Sequence, residues 1–271
     1  MRADRIFLVA TLTFVPMLVS CQNAKPEQNE MVEIPAGPFL MGEDSGRASN
    51  QPQRVVYLDG YYIQKTEVTS SQFLEFLKET GYQVIGWQTS ISSEGKLPAT
   101  RVLWRDADAY CAWLGLRLPT EAEWEKAARG ADGRTYSWGN DWNPDFANGA
   151  QSGLNSVQPV GSYPQGASPY GLFDMSGNAA EWVADFYEAD YYTYAPAENP
   201  QGPVTVLDHV LRGGSYASPP QQLTTYFRNS SHSVLPNPRV GFRCAASVDQ
   251  INGHPSPALR ERGRGGEGFS P

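Results

Sequence analysis

Residues 117–130 read RLPTEAEWEKAARG, and the way this run opens and stops sets the scale of the whole fold. Thr120 and Glu123 stand three apart, the spacing at which each side chain satisfies the other's backbone amide at a helix start. Gly130 closes the run, as a residue free to leave the helical region does. Just upstream, Asp106 precedes ADAYCAWL and Gly115 follows it, which predicts another short helix. Further back, Thr69 and Gln72 form a second box ahead of Phe73, Phe76 and Leu77, and Gly81 ends that helix. Strand-like runs are equally short: VEIPAG, FLMG, RVVYLDGYYI, HVLRGGS and RVGFRCA. Short helices, scattered strands and long connections predict an α+β fold that is loop-rich with little regular secondary structure.

Composition agrees. Seven Trp and fourteen Tyr with only 18% charged residues describe a loop-rich globule around an aromatic core. The formal charge of −8 argues against a nucleic-acid surface, which would need a basic patch, and suits a hard cation better. At the front, Arg2 and Arg5 precede an apolar run from Ile6 to Val19, and Ser20 comes directly before Cys21. That layout predicts an export signal over residues 1–20, too short to remain as a membrane-spanning helix. Leu18-Val19-Ser20-Cys21 resembles a bacterial lipobox, which implies a lipid-modified Cys21, a membrane anchor and a place in the cell envelope. Gln22 after the cysteine points by the same resemblance to the outer membrane. Residues 21–30 read as a tether, 31–248 as one domain, and 249–271 as a tail too poor in apolar residues to order itself.

Within that domain MVEIPAGPFLMG, DGYYIQKTEVTSSQF, WRDADAYCAWLGLRLPTEAEWEKAARG, YSWGN, PYGLFDMSGNAAEW, LRGGSY and GFRCA follow one another in order. Together they resemble the formylglycine-generating enzyme family, whose members are also called sulfatase-modifying factor domains. The resemblance implies a compact fold related to C-type lectins. It also implies an activity, the copper- and oxygen-dependent oxidation of a sulfatase cysteine to formylglycine, with the copper held by two cysteines.

At the positions of those cysteines this chain has Ser218 and Leu223. Neither a hydroxyl nor an isobutyl group replaces the thiolate that Cu(I) requires. Ala180 likewise stands where the resemblance places an active-site tryptophan, so copper is not expected and no catalytic residue is assigned. Cys111 and Cys244 match the family's disulfide. Asp174, Gly177, Ala179 and Glu181 match a structural calcium site, the carboxylates supplying hard oxygen donors and the two small residues backbone carbonyls. Asn148 and Gly149 match the start of a second calcium site whose usual acidic residue is missing from AQSGLNSVQPVG.

Ser215, Tyr216 and Ser218 are read as a ligand groove left from the old active site, with Gln221, Gln222, Thr224, Thr225 and Tyr226 as neutral recognition groups. The function expected is therefore a membrane-anchored binding or accessory module for an unknown protein or small-molecule ligand. The alternative is an oxidoreductase of the same superfamily with a different metal centre, serving maturation of an exported protein or metabolite; a two-histidine iron site from His209 and His232 is one form of it.

Overall fold

The computed structural model describes residues 29–84, 95–204, 207–232 and 234–253. The predicted signal, Cys21 and most of the tether fall outside these residues, as does the tail beyond Gly253.

The chain enters as β1 (Met31–Ile34), then makes a two-stranded ribbon from β2 (Gly37–Met41) and β3 (Arg54–Leu58). RVVYLDGYYI is not one strand. It breaks at Asp59-Gly60, and its second half, β4 (Tyr61–Gln64), pairs back onto β1. Helix α1 (Ser70–Thr80) carries the expected reciprocal box, Thr69 Oγ1 accepting from the Gln72 amide at 3.3 Å and Gln72 Oε1 from the Thr69 amide at 2.9 Å. It ends at Gly81 in the left-handed region, φ 70°.

Helix α2 (Trp104–Trp113) starts earlier than its sequence suggested. Asp106 does not stand ahead of the helix; it lies inside the first turn, and its Oδ2 accepts from the Leu103 amide at 2.9 Å. A carboxylate at the third helical position satisfies an orphan amide as well as one at the cap. Helix α3 (Glu121–Arg129) follows its reading closely, with Thr120 and Glu123 bonded to each other's amides.

Strand β5 (Ala180–Phe186) is the centre of a four-stranded sheet ordered β7-β6-β5-β8, where β6 is Asp208–Arg212, β7 Asn229–His232 and β8 Val240–Phe242. β5 pairs antiparallel with β6 and parallel with β8. RVGFRCA also splits: β9 (Ala245–Ser247) leaves β8 and joins the first sheet beside β4. A short helix α4 (Val248–Gly253) closes the described chain, so ordered structure runs five residues past the expected end of the domain at 248.

Two apolar clusters hold these pieces. One gathers Ile34, Phe39, Ile63, Trp124 and Val210 under the ribbon and α3; the other gathers Phe73, Phe76, Tyr110, Trp182 and Phe242 between α1, α2 and the large sheet. The Cys111–Cys244 disulfide stitches α2 to the β8–β9 junction across 133 residues of chain. By chain entropy a loop of that length stabilises the fold by about 5 kcal/mol.

Candidate functional site

The segment RGGSYASPPQQLTTYFR leaves the end of β6 at Arg212 and returns at Arg228, and both arginines are completely buried. Arg212 reaches under the loop to Glu121 (3.0 Å) and Glu125 (2.6 Å) of α3, and donates to the carbonyl of Thr225 at 2.6 Å. Arg228 grips Glu121 through Nε and Nη2 at 2.7 and 3.0 Å, with its guanidinium over the rings of Tyr192 and Tyr187. Arg129 adds a third cation on Glu125. The loop thus stands on an ionic seam in which three guanidiniums meet two carboxylates.

Gly213 and Gly214 start the loop with positive φ, 83° and 66°. A side chain on Gly214 would strike Gln222 O at 2.5 Å and Leu223 Cδ2 at 2.7 Å, so the outgoing and returning halves touch backbone to backbone. Ser218 is consumed inside the turn: its Oγ accepts from the Ser215 amide, and its carbonyl from the Ala150 amide. Leu223 is fully buried, and it meets Ser218 at Gly149. A Cβ on Gly149 would lie 2.5 Å from Leu223 Cδ1 and 3.3 Å from Ser218 O. The Leu223 side chain and the Ser218 backbone thus both border Gly149, with an isobutyl group packed against the Gly149 and Gly214 backbone. Ala180, at the start of β5, is also buried.

Beside this plug lies GLFDMSGNAAEW. Asp174 and Asn178 both adopt positive φ, which folds the run into a tight loop. Asn178 is its hub: the side chain donates to Glu67 Oε1 and accepts from Asn148 and from the Gln158 amide, while the backbone bonds Asn148 and Tyr216. Glu181 is held by Arg243 on both oxygens, 2.7 and 2.8 Å, and by the Trp124 indole at 2.8 Å. Only the remaining lone pair of its Oε1 is left for another partner.

Asp174 accepts from the Gly161 amide and lies against Glu67, whose Oε2 has no hydrogen-bond donor. Burial, then the charge of Asp174, pushes the Glu67 carboxyl well up; burial also raises Asp174. Asn148 spends its amide on Ser152, Ser156 and Asn178. Among the described residues no three His, Cys, Asp or Glu side chains surround a common point for a metal.

The open space lies on the other side of the loop. A cavity of about 660 Å3 is lined by Gln221, Gln222, Thr224, Tyr226 and Phe227 of the returning half, facing Glu43, Arg47 and Asn50 and floored by Tyr136. Four of the five expected recognition groups line it. Thr225 does not; it is buried and donates to the Arg134 carbonyl. Ser215, Tyr216 and Ser218 lie outside its lining.

His209 and His232 occupy different settings. His209 is sandwiched between Trp104 (4.1 Å) and Phe186 (4.3 Å), and burial lowers its pKa to about 4. His232 is exposed on β7 beside Asp208. Sequence reading passed over Glu67 and Asn178. The asparagine after a glycine in a turn was the available signal for the second; nothing local marked Glu67, which becomes special only through its neighbours.

Comparison with known proteins adds the following. The model of the sulfatase-modifying factor enzyme 1-like domain matches residues 18–248. The formylglycine-generating enzyme of Streptomyces coelicolor is 32% identical, over 85% of this chain and 93% of its own. The mouse protein called inactive C-alpha-formylglycine-generating enzyme 2 is also 32% identical, over 85% of this chain and 91% of its own. The structure of PvdO from Pseudomonas aeruginosa superposes with a TM-score of 0.70 at 28% identity, covering 82% of this chain and 96% of that one.

Proposed function

The chain belongs to the sulfatase-modifying factor enzyme 1-like family, with its α+β fold related to C-type lectins, and on that premise we propose that it is a binding or accessory module without the family's copper chemistry. What supports this reading is the packing at the two positions that the resemblance gives to the family's cysteines: Leu223 is buried against Gly149 and Gly214, and the hydroxyl of Ser218 is bonded within its own turn. Overall similarity does not decide, since an enzyme and a relative called inactive are equally identical to this chain. The site decides.

Calcium is the cation this site suits. Glu67, Asp174 and Glu181 interact with one another in the interior, and Arg243 is the guanidinium that offsets them. A divalent ion held by Asp174 with the carbonyls of Gly177 and Ala179 would balance that excess and pin the loop; Glu181 contributes through its one free lone pair. Such an ion acts as a structural cross-link. The Asn148–Gly149 position has its amide already committed, which favours a single ion.

The ligand groove in this reading is the cavity at Gln221, Gln222 and Tyr226, where neutral donors and acceptors and an aromatic face stand opposite Glu43 and Arg47, a lining that suits a polar ligand. Export and a lipid anchor at Cys21 would present it in the bacterial envelope, in the outer membrane. The oxidoreductase alternative has less support: burial between two aromatic rings makes His209 a poor first ligand for iron.

The test is a copper(I) titration against a chromophoric chelator. The unaltered chain should leave the chelator's copper in place, and Ser218→Cys with Leu223→Cys should withdraw one equivalent. Stoichiometric copper uptake by the unaltered chain would refute the proposal.

A further inference from the structure

The connection from β2 to β3 brings two opposite charges, Glu43 and Arg47, to the cavity lined by Gln221, Gln222 and Tyr226. Glu43 is only 7% exposed. Its Oε2 accepts from the amide and the hydroxyl of Ser45, at 2.9 and 2.8 Å. Its Oε1 lies against the bare Gly46, where a Cβ would come within 1.8 Å of it, and takes no hydrogen bond from any described residue. Arg47 is exposed; its guanidinium lies over the Phe227 ring at 5.0 Å and reaches the Arg228 carbonyl at 3.4 Å. Among the described residues no cation is ion-paired with Glu43 and no carboxylate with Arg47. Between them Asn50, buried, accepts from the Arg228 amide through Oδ1 and keeps its NH2 group without a described partner. The connection is itself fixed to the ionic seam: Gly42 bonds Glu125 and Arg129, and Arg228 donates to the Ser49 carbonyl. Two uncompensated charges of opposite sign are thus held in place in one hollow.

We propose that this cavity takes a zwitterion of the amino-acid and short-peptide class, with its ammonium on Glu43 and its carboxylate on Arg47. A buried carboxylate without a counterion is costly, and an ammonium supplies both the opposite charge and the missing donor. The planar fork of a guanidinium matches a carboxylate, and the Asn50 NH2 group offers one more donor. A singly charged ligand would leave one of the two groups bare. A metal cation drawn to Glu43 would meet the repulsion of Arg47. Tyr226, Tyr136 and Phe227 give the ligand's side chain an apolar face, and a volume of about 660 Å3 falls within the roughly 300–1,000 Å3 of small-molecule pockets. This inference rests on the reading of the cavity as the ligand groove and adds to it the charge pattern of the ligand.

The probes are L-phenylalanine, alanyl-phenylalanine and dialanyl-phenylalanine, titrated calorimetrically onto the purified full chain. Each is used with free ends, N-acetylated, C-amidated and blocked at both ends. At least one of the free forms should bind, its length reporting the span between the two charges, and blocking either end should weaken it at least about tenfold. Glu43→Gln keeps an acceptor for Ser45; it should weaken the free form and abolish the penalty for acetylation alone. Arg47→Gln should do the same for amidation alone. The blocking series on the unaltered chain decides the matter even where a variant folds poorly. No binding by any free form up to about 10 mM would overturn the proposal. A doubly blocked probe that binds as tightly as the free one, and loses affinity on Gln222→Ala, would overturn the zwitterion and leave the groove standing. Binding indifferent to Glu43→Gln, Arg47→Gln and Gln222→Ala alike would put the ligand elsewhere and overturn both.

Discussion

Two pairs of buried acids flank the RGGSY loop, and they are neutralised in different ways. Glu121 and Glu125 lie under it, clasped by Arg212, Arg228 and Arg129. Glu67 and Asp174 lie beside it, where the nearest guanidinium, on Arg243, is already bound to Glu181. In the first place the chain supplies its own cations and the loop's footing is permanent. In the second it leaves a carboxylate excess that burial and the Asp174 charge make costly, so the Glu67 carboxyl is pushed well up and an external cation would offset the excess. The contrast separates the part of the site that is scaffold from the part that answers to solution conditions.

Breaking the first region should have the largest effect. Arg212→Met leaves Glu125 facing one guanidinium and removes the tie to Thr225, and should destabilise by about 3–5 kcal/mol in urea unfolding. Adding Glu125→Gln should recover part of that loss, because the unpaired charge, more than the missing contact, is what costs. A smaller and reversible effect belongs to the second region. Calcium at a hundredfold excess over its dissociation constant should stabilise by about 2.7 kcal/mol, seen as a melting temperature that falls on adding EDTA. Asp174→Ala should erase the response, while Arg212→Met in the surviving folded fraction should keep it. A chain indifferent to chelator would remove the distinction between the two regions.

A third effect sharpens the boundary between burial and charge. The pKa of His209 is lowered from 6.5 to about 4, so between those values the unfolded chain takes up a proton that the folded chain refuses. Stability contributed by neutral His209 is complete above pH 6.5 and declines as pH falls through 4. The raised carboxyls of Glu67 and Asp174 act in the opposite sense, stabilising toward acid. The readout is therefore the difference between the unaltered chain and His209→Gln, which should widen steadily with rising pH across that window and level off above it. The smallest change should come at the groove. Gln222 is exposed, so Gln222→Ala should alter stability by no more than about 0.5 kcal/mol and leave any loss of ligand binding easy to interpret.

How much of this was legible in the sequence depends on whether the signal was local. Thr120 with Glu123 and Thr69 with Gln72 announce their helices because a capping box is complete within four residues. Asp106 misled by three positions because a carboxylate serves the first turn from inside as well as from in front. β5 was passed over because its residues are buried almost throughout, which removes the alternation by which a half-buried strand is recognised. The splitting of RVVYLDGYYI and RVGFRCA between two sheets depends on partners distant in sequence. The same division runs through the site. Cys111 with Cys244 and the glycines of the loop were readable from matching motifs, whereas Glu67 gains its meaning from Asp174, 107 residues away, and the cavity from Glu43 and Arg47 across the fold.

The central claim is that the family's fold persists here while its oxidation chemistry does not. It is met most directly by giving the purified chain copper, oxygen, a reducing thiol and a cysteine-containing sulfatase peptide, and measuring peptide aldehyde by mass spectrometry. The account predicts no aldehyde above a protein-free control, and no change on Ser218→Ala. Aldehyde above that control, lost when Ser218 is altered, would contradict it.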